Sequence, residues 1–141
     1  MDKVLKHLFD SDEAMTLPLA KKLHAEVEDS IYRSWESRRK WLSSAFGVNI
    51  AGDKQSQDFN AVIDLRNCIV HGDGRLTDLQ VAKNKDFFRI REDLPRILGV
   101  GLNGRIVIIT PDTPLKAATV SRDFILHFDR AVLNKFSNLS I

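Results

Sequence analysis

The chain has a single cysteine, Cys68, only four prolines, and no run approaching the ~20 consecutive apolar residues of a membrane span. One cysteine excludes an intramolecular disulfide framework and any multi-cysteine zinc or iron–sulfur centre, and it fits a reducing compartment. The first residues, Met1 to His7, lack the continuous apolar stretch of a signal peptide, so a soluble, cytoplasmic protein without a membrane anchor is expected. An excess of one charge sign is also missing, because 21 Lys and Arg face 19 Asp and Glu and leave +2 with His neutral. That balance excludes a histone-like polycation and an acidic solvating tail, so any nucleic-acid site has to be a local patch. The histidines His7, His24, His71 and His127 show neither a His-Glu-x-x-His pattern nor paired spacing, and there is no P-loop or Rossmann glycine pattern. No metal and no cofactor is expected.

What the chain does have is length and patterning for one domain, residues 1–141, with 43% hydrophobic and 28% charged residues and a modest core. No repeat, low-complexity tract or linker divides it. A short amphipathic segment, Val4 to Phe9, precedes Thr16-Leu17-Pro18, which reads as a helix start with proline in the first turn. From there Ala20, Leu23, Val27, Ile31, Trp35, Leu42 and Ala45 keep the helical period, with Arg38 as the exception and Gly47 as the stop. This predicts one rod of roughly 28 residues, ~42 Å long. Residues 47–55 read as a loop, Ser56 as an N-cap, 57–71 as a second helix ended by Gly72-Asp73-Gly74, and 76–82 as one or two further turns. The apolar stretch from Ile97, then Asn103-Gly104, then Arg105 to Thr110, predicts a β-hairpin with a tight Asn-Gly turn. After Pro111 and Pro114, a last helix runs to about Phe136, with Val120, Phe124, Phe128, Val132 and Phe136 spaced by four. The fold class is therefore mainly α, with a small β-hairpin before the C-terminal helix.

The second helix carries the chemistry. On a helical wheel Phe59, Val62, Ile63, Ile69 and Val70 fall within roughly 60° of Arg66, so the arginine projects from the middle of an apolar stripe. A buried guanidinium cannot shed its proton and costs several kcal/mol unless a carboxylate surrounds it. Either it pairs with an acid of the long helix, Glu28, Asp29 or Glu36, or the stripe lines a cleft. Asn67 and His71 lie one turn apart on the edge of the same stripe, so the three side chains can enter one groove. Gly72 and Gly74 would leave the surroundings of His71 open to a ligand. A fixed cation, an amide and an imidazole at a helix C-terminus supply charge stabilisation, orientation and proton transfer, as phosphate-ester chemistry needs.

Arg66-Asn67-Cys68-Ile69-Val70-His71 resembles the signature of the HEPN superfamily, in which an arginine, usually followed by a polar residue, precedes a histidine near a helix end. The surrounding Asp64-Leu65 and Gly72-Asp73-Gly74 are similar to prokaryotic members from phage-defence and plasmid-borne settings. The resemblance implies a HEPN-like antiparallel helix bundle and a homodimer in which two motifs face each other across one metal-independent ribonuclease site. It implies that Arg66 stabilises charge on the cleaved phosphate, Asn67 orients it, and His71 acts as acid or base on the ribose 2′-hydroxyl. A 2′,3′-cyclic phosphate and a 5′-hydroxyl would result. An antitoxin or a larger defence-system protein would be a further partner. The alternative is a non-catalytic HEPN-like dimerisation or adaptor module that binds RNA, a nucleotide or a protein, and a plain helical scaffold with Arg66 in an ion pair is a third reading.

Secondary RNA-contact candidates are Arg75, just after the glycine loop, and Arg38, Arg39 and Lys40, which lie between Trp35 and Trp41. Lys83, Lys85, Arg89 and Arg91 read as a solvated basic run. Cys68, on the far side of the wheel from Arg66, reads as a small buried residue.

Overall fold

A computed structural model describes residues 1–50 and 52–136. It is mainly helical, with 75% helix and seven helices among the described residues. The chain divides into two compact units, Met1–Ala51 with Asp129–Ile141, and Gly52–Phe128.

The first unit begins with α1 (Asp2–Ser11), a 3-10 turn (Glu13–Thr16), α2 (Pro18–Tyr32) and α3 (Trp35–Phe46). Pro18 occupies the first turn of α2, where its missing N–H removes no helical hydrogen bond. The single rod expected from Pro18 to Ala45 is broken between α2 and α3. Ser34 is extended (φ −145°, ψ 162°), and its hydroxyl accepts the Ser37 N–H at 3.0 Å, which caps a new helix. Because Ile31 and Trp35 are four residues apart, the apolar period passes through this break unchanged. Gly47 ends α3 in the left-handed region at φ 65°, with Val48 N–H donating back to the Leu42 carbonyl at 2.9 Å. Leu5, Leu8 and Phe9 of α1 are buried, as are Ile31, Leu42 and Phe46. Phe9 meets Phe46 edge-on at 4.8 Å.

The second unit starts with α4 (Lys54–His71). The helix begins three residues before the expected start, and Ser56 is buried inside it instead of capping it. Next come α5 (Asp78–Val81), closed by a Thr77–Gln80 capping box, and α6 (Asn84–Leu98), a helix the sequence reading left unassigned. Ile97 and Leu98, expected in a strand, belong to α6, which stops at Gly99 with φ 66°. The antiparallel hairpin is present as β1 (Gly101–Asn103) and β2 (Ile106–Ile108), with Asn103 paired to Ile106. Its two central turn residues are therefore Gly104-Arg105 rather than Asn103-Gly104. Of the pair only Gly104 has positive φ, 61°, the arrangement of a hairpin turn with glycine first. The last helix, α7 (Thr113–Lys135), starts in this unit and runs on into the first.

The core of the second unit joins Ala61, Leu65 and Cys68 of α4 to Ile90, Leu94 and Leu98 of α6, with Leu76 and Val100 closing it. Small residues on α4 let the longer side chains of α6 seat between them. Among the described residues, no helix is long and apolar enough to cross a membrane.

Candidate active site

The apolar stripe of α4 is covered unevenly, half-buried at Phe59, Val62 and Ile63 and open toward the helix end. Phe59 is half-buried and stacks on Phe124 at 4.3 Å, but Ile69 is 49% and Val70 55% exposed. Arg66, between them, is exposed as well. The desolvation that would demand a carboxylate partner therefore does not arise. Its guanidinium bonds at its own helix end, and Glu28, Asp29 and Glu36 are exposed residues of the first unit.

The three residues singled out from the motif do come together. Arg66 Nη1 donates to Asn67 Oδ1 at 3.1 Å and lies 3.0 Å from His71 Nε2. Arg66 and His71 are about 140° apart on the wheel, so the reach of the arginine, rather than a shared face, closes the contact. A guanidinium has no acceptor atom. His71 Nε2 must therefore accept this bond with its lone pair, leaving the ring proton on Nδ1.

His71 is the last residue of α4, and the following loop fixes its position. Gly72 and Gly74 both donate to the Cys68 carbonyl, at 3.1 and 3.0 Å. A Cβ on Gly72 would stand 2.0 Å from the Arg75 carbonyl oxygen, so backbone crowding requires this glycine. Asp73 and Gly74 then turn the chain through left-handed conformations, φ 50° and 75°. Leu76 N–H donates to the Arg105 carbonyl at 2.8 Å, and Val107 N–H to the Gly74 carbonyl at 2.9 Å. The hairpin thus straps down the loop that carries Arg75.

Beneath the motif lies a buried polar network that the sequence reading missed. Asp64 is 9% exposed, and its carboxylate accepts from Arg89 Nη2 at 2.9 Å and from Gln80 Nε2 at 3.3 Å. Gln80 also donates to the Asp64 backbone carbonyl at 3.0 Å, and its Oε1 accepts the Thr77 N–H at 3.0 Å. Burial pushes the Asp64 carboxyl above its ordinary value, against the opposing pull of Arg89 and Gln80. Burial likewise raises the Cys68 thiol, whose Sγ lies 3.5 Å from Gln80 Oε1. Arg89, read as part of a solvated run, is in fact tied to Asp64 and, at 3.5 Å, to Asp93. The spacing Asp64, Asn67, His71 puts all three on one helical face, and that was the available signal.

Two clefts meet at His71. One, of about 490 Å³, is lined by Asp64, Asn67 and His71 of α4, by Thr77 to Gln80, and by Asp86, Arg89 and Ile90 of α6. The other, of about 360 Å³, holds His71 with Asp73, Arg75, Asp78 and Arg105.

No protein-family model, curated protein or solved structure matches the chain.

Of the secondary candidates, Arg75 is exposed at the second cleft. Arg38, Arg39 and Lys40 stand on α3 in the first unit, where the Arg38 guanidinium is paired with Asp2 and Arg39 is half-buried with its Nε lacking a hydrogen-bond partner among the described residues. Lys40 is exposed. Pairing with Asp2 weakens the case for Arg38 as a phosphate contact.

Proposed function

We propose that the chain is a metal-independent endoribonuclease of the HEPN type, acting as a homodimer on RNA. The observation that carries this reading is the contact of Arg66 Nη1 with His71 Nε2, with Asn67 bonded to the same guanidinium nitrogen. An imidazole nitrogen with a free lone pair is the form that takes a proton from a ribose 2′-hydroxyl. The resulting alkoxide attacks the adjacent phosphorus, the P–O5′ bond breaks, and the departing O5′ takes up the proton that His71 has accepted, which leaves a 2′,3′-cyclic phosphate, a 5′-hydroxyl and the neutral imidazole. An incoming phosphate offers Arg66 two oxygens in place of one imidazole nitrogen, which draws the guanidinium onto the charge it must stabilise and frees His71. Asn67 orients the phosphate. Ile69 and Val70, half exposed on either side of the wheel position of Arg66, support the homodimer, because a second copy of the same surface would cover them around the composite site. The resemblance extends the proposal to a cytoplasmic toxin or anti-phage setting with an antitoxin or larger defence protein as partner.

The test is cleavage of single-stranded RNA in EDTA by the full chain and by Arg66→Ala and His71→Ala variants shown to be folded by circular dichroism. Each substitution is expected to lower cleavage by roughly 10²- to 10⁴-fold. Unchanged cleavage in folded variants overturns the site. A dimer by sedimentation that cleaves no RNA replaces the reading with the non-catalytic adaptor.

A further inference from the structure

The two clefts that meet at His71 differ in charge. On the hairpin side Arg75 and Arg105 stand with Asp73 and Asp78, and Arg105 is ion-paired to Asp78. On the α6 side the lining carries the carboxylates of Asp64, Asp78 and Asp86. With three carboxylates against the one guanidinium of Arg89, the α6-side cleft disfavours a phosphate more than the charge-balanced hairpin-side cleft does. What enters the larger cleft must be the uncharged part of the nucleotide.

The carboxylates there are not equivalent. Asp64 is engaged by Arg89 and Gln80, and Asp78 by Arg105 at 2.8 Å. Asp86, half-buried in the first turn of α6, has no hydrogen-bond or ion-pair partner among the described residues. Both of its oxygens are available to a ligand. Leu79, on the same cleft, is a large apolar side chain left 87% exposed, and Ile90 lies on the α6 side almost wholly covered. A flat ring lying against Leu79 with its polar edge toward Asp86 would account for both features, and a cleft of about 490 Å³ admits a nucleobase.

We propose that this cleft is a base-recognition subsite selecting guanine at the position of the RNA next to the scissile phosphate. The assignment of the base follows from donor and acceptor geometry. Two carboxylate oxygens need two adjacent donors, and the Watson–Crick edge of guanine supplies them as N1–H and the N2 amino group. Adenine and cytosine each set a ring-nitrogen acceptor beside their amino group, facing the carboxylate with repulsion. Uracil offers one N–H between two carbonyls. This subsite rests on the ribonuclease reading for its position relative to the scissile bond, but its binding preference is measurable without cleavage.

The experiment uses the full chain carrying His71→Ala and fluorescein-labelled pentauridylate with a central guanosine, adenosine, cytidine or uridine, read by fluorescence anisotropy. The guanosine oligonucleotide is expected to bind ~10-fold or more tighter than the other three. Asp86→Asn, added to the same chain and checked for folding by circular dichroism, is expected to bring the four affinities within about 2-fold of one another. Equal binding of all four, or a guanosine preference that survives Asp86→Asn, overturns the proposal. Cleavage-site mapping with the parent chain separates the two readings. Cleavage without preference for guanosine removes the subsite and keeps the ribonuclease, whereas guanosine-selective binding lost in Asp86→Asn, with no cleavage by the parent, keeps the subsite and removes the ribonuclease.

Discussion

On one face of α4, Ala61, Leu65 and Cys68 are at most 6% exposed against α6, whereas on the other Ile69 and Val70 stand about half in solvent with Arg66 between them. The covered face carries Ala61, Cys68 and one larger side chain, Leu65, with a satisfied buried acid, Asp64. The open face carries the larger β-branched residues and the arginine. Hydrophobic periodicity describes both faces, yet it does not state which neighbour covers which face, and in this helix the stripe around Arg66 is half-covered at Phe59, Val62 and Ile63 and open at Ile69 and Val70. Both faces lead to the same residue, His71, so the core-facing network and the solvent-facing arginine reach the site from opposite sides.

Leu65→Ala makes the comparison sharpest. Removing a side chain from the α4–α6 seam is expected to cost about 3 kcal/mol in chemical denaturation, while Ile69→Ala, from the open face, should cost less than about 1 kcal/mol in the isolated chain. Equal losses would mean that the two faces are equally packed. Ile69→Glu acts on the proposed dimer instead. It should leave the fold intact by circular dichroism, shift sedimentation from dimer to monomer, and lower RNA cleavage by ~10-fold or more, since a charge buried in an interface is costly.

The parts legible in sequence were local ones. Arg66, Asn67 and His71 lie within six residues of one helix end, so sequence proximity brings them near one another and the reach of the arginine closes the contact. The hairpin was legible from its glycine and flanking apolar residues, with the turn displaced by one position. The α6 helix was hidden because Lys83, Lys85, Arg89 and Arg91 dominate its first half and Pro95 reads as a stop, although Ile90, Leu94 and Leu98 keep a spacing of four. Pro95 removes the one helical hydrogen bond that an N–H there would give to the Arg91 carbonyl, and the helix nevertheless continues to the Gly99 cap. The roles of Asp64 and Gln80 depend on residues 16 positions apart being folded together, and no local pattern carries that information.

Smaller effects test the buried face. Because the Asp64 carboxyl is raised above 3.8, the folded state holds its proton more tightly than the unfolded state does. Its contribution to stability is then largest below the ordinary carboxylate range and declines as pH rises through the raised value. Urea unfolding across acidic pH should show the parent losing stability relative to Asp64→Asn as pH rises. A relative gain over that range would reverse the sign and contradict the dominance of burial over the pull of Arg89. The smallest expected effect concerns Cys68, which is fully buried with its thiol pushed up. Iodoacetamide should label it at least ~10-fold more slowly in the native protein than in urea, and equal rates would mean that the α4–α6 seam opens readily.

The most direct measurement of the central claim is the chemistry of the RNA ends formed in EDTA by the parent chain and by His71→Ala. The account predicts 2′,3′-cyclic phosphate and 5′-hydroxyl ends from the parent and a loss of both products in the variant. Ends bearing a 5′-phosphate, or identical products from the two proteins, would contradict a site in which Arg66, Asn67 and His71 cleave RNA.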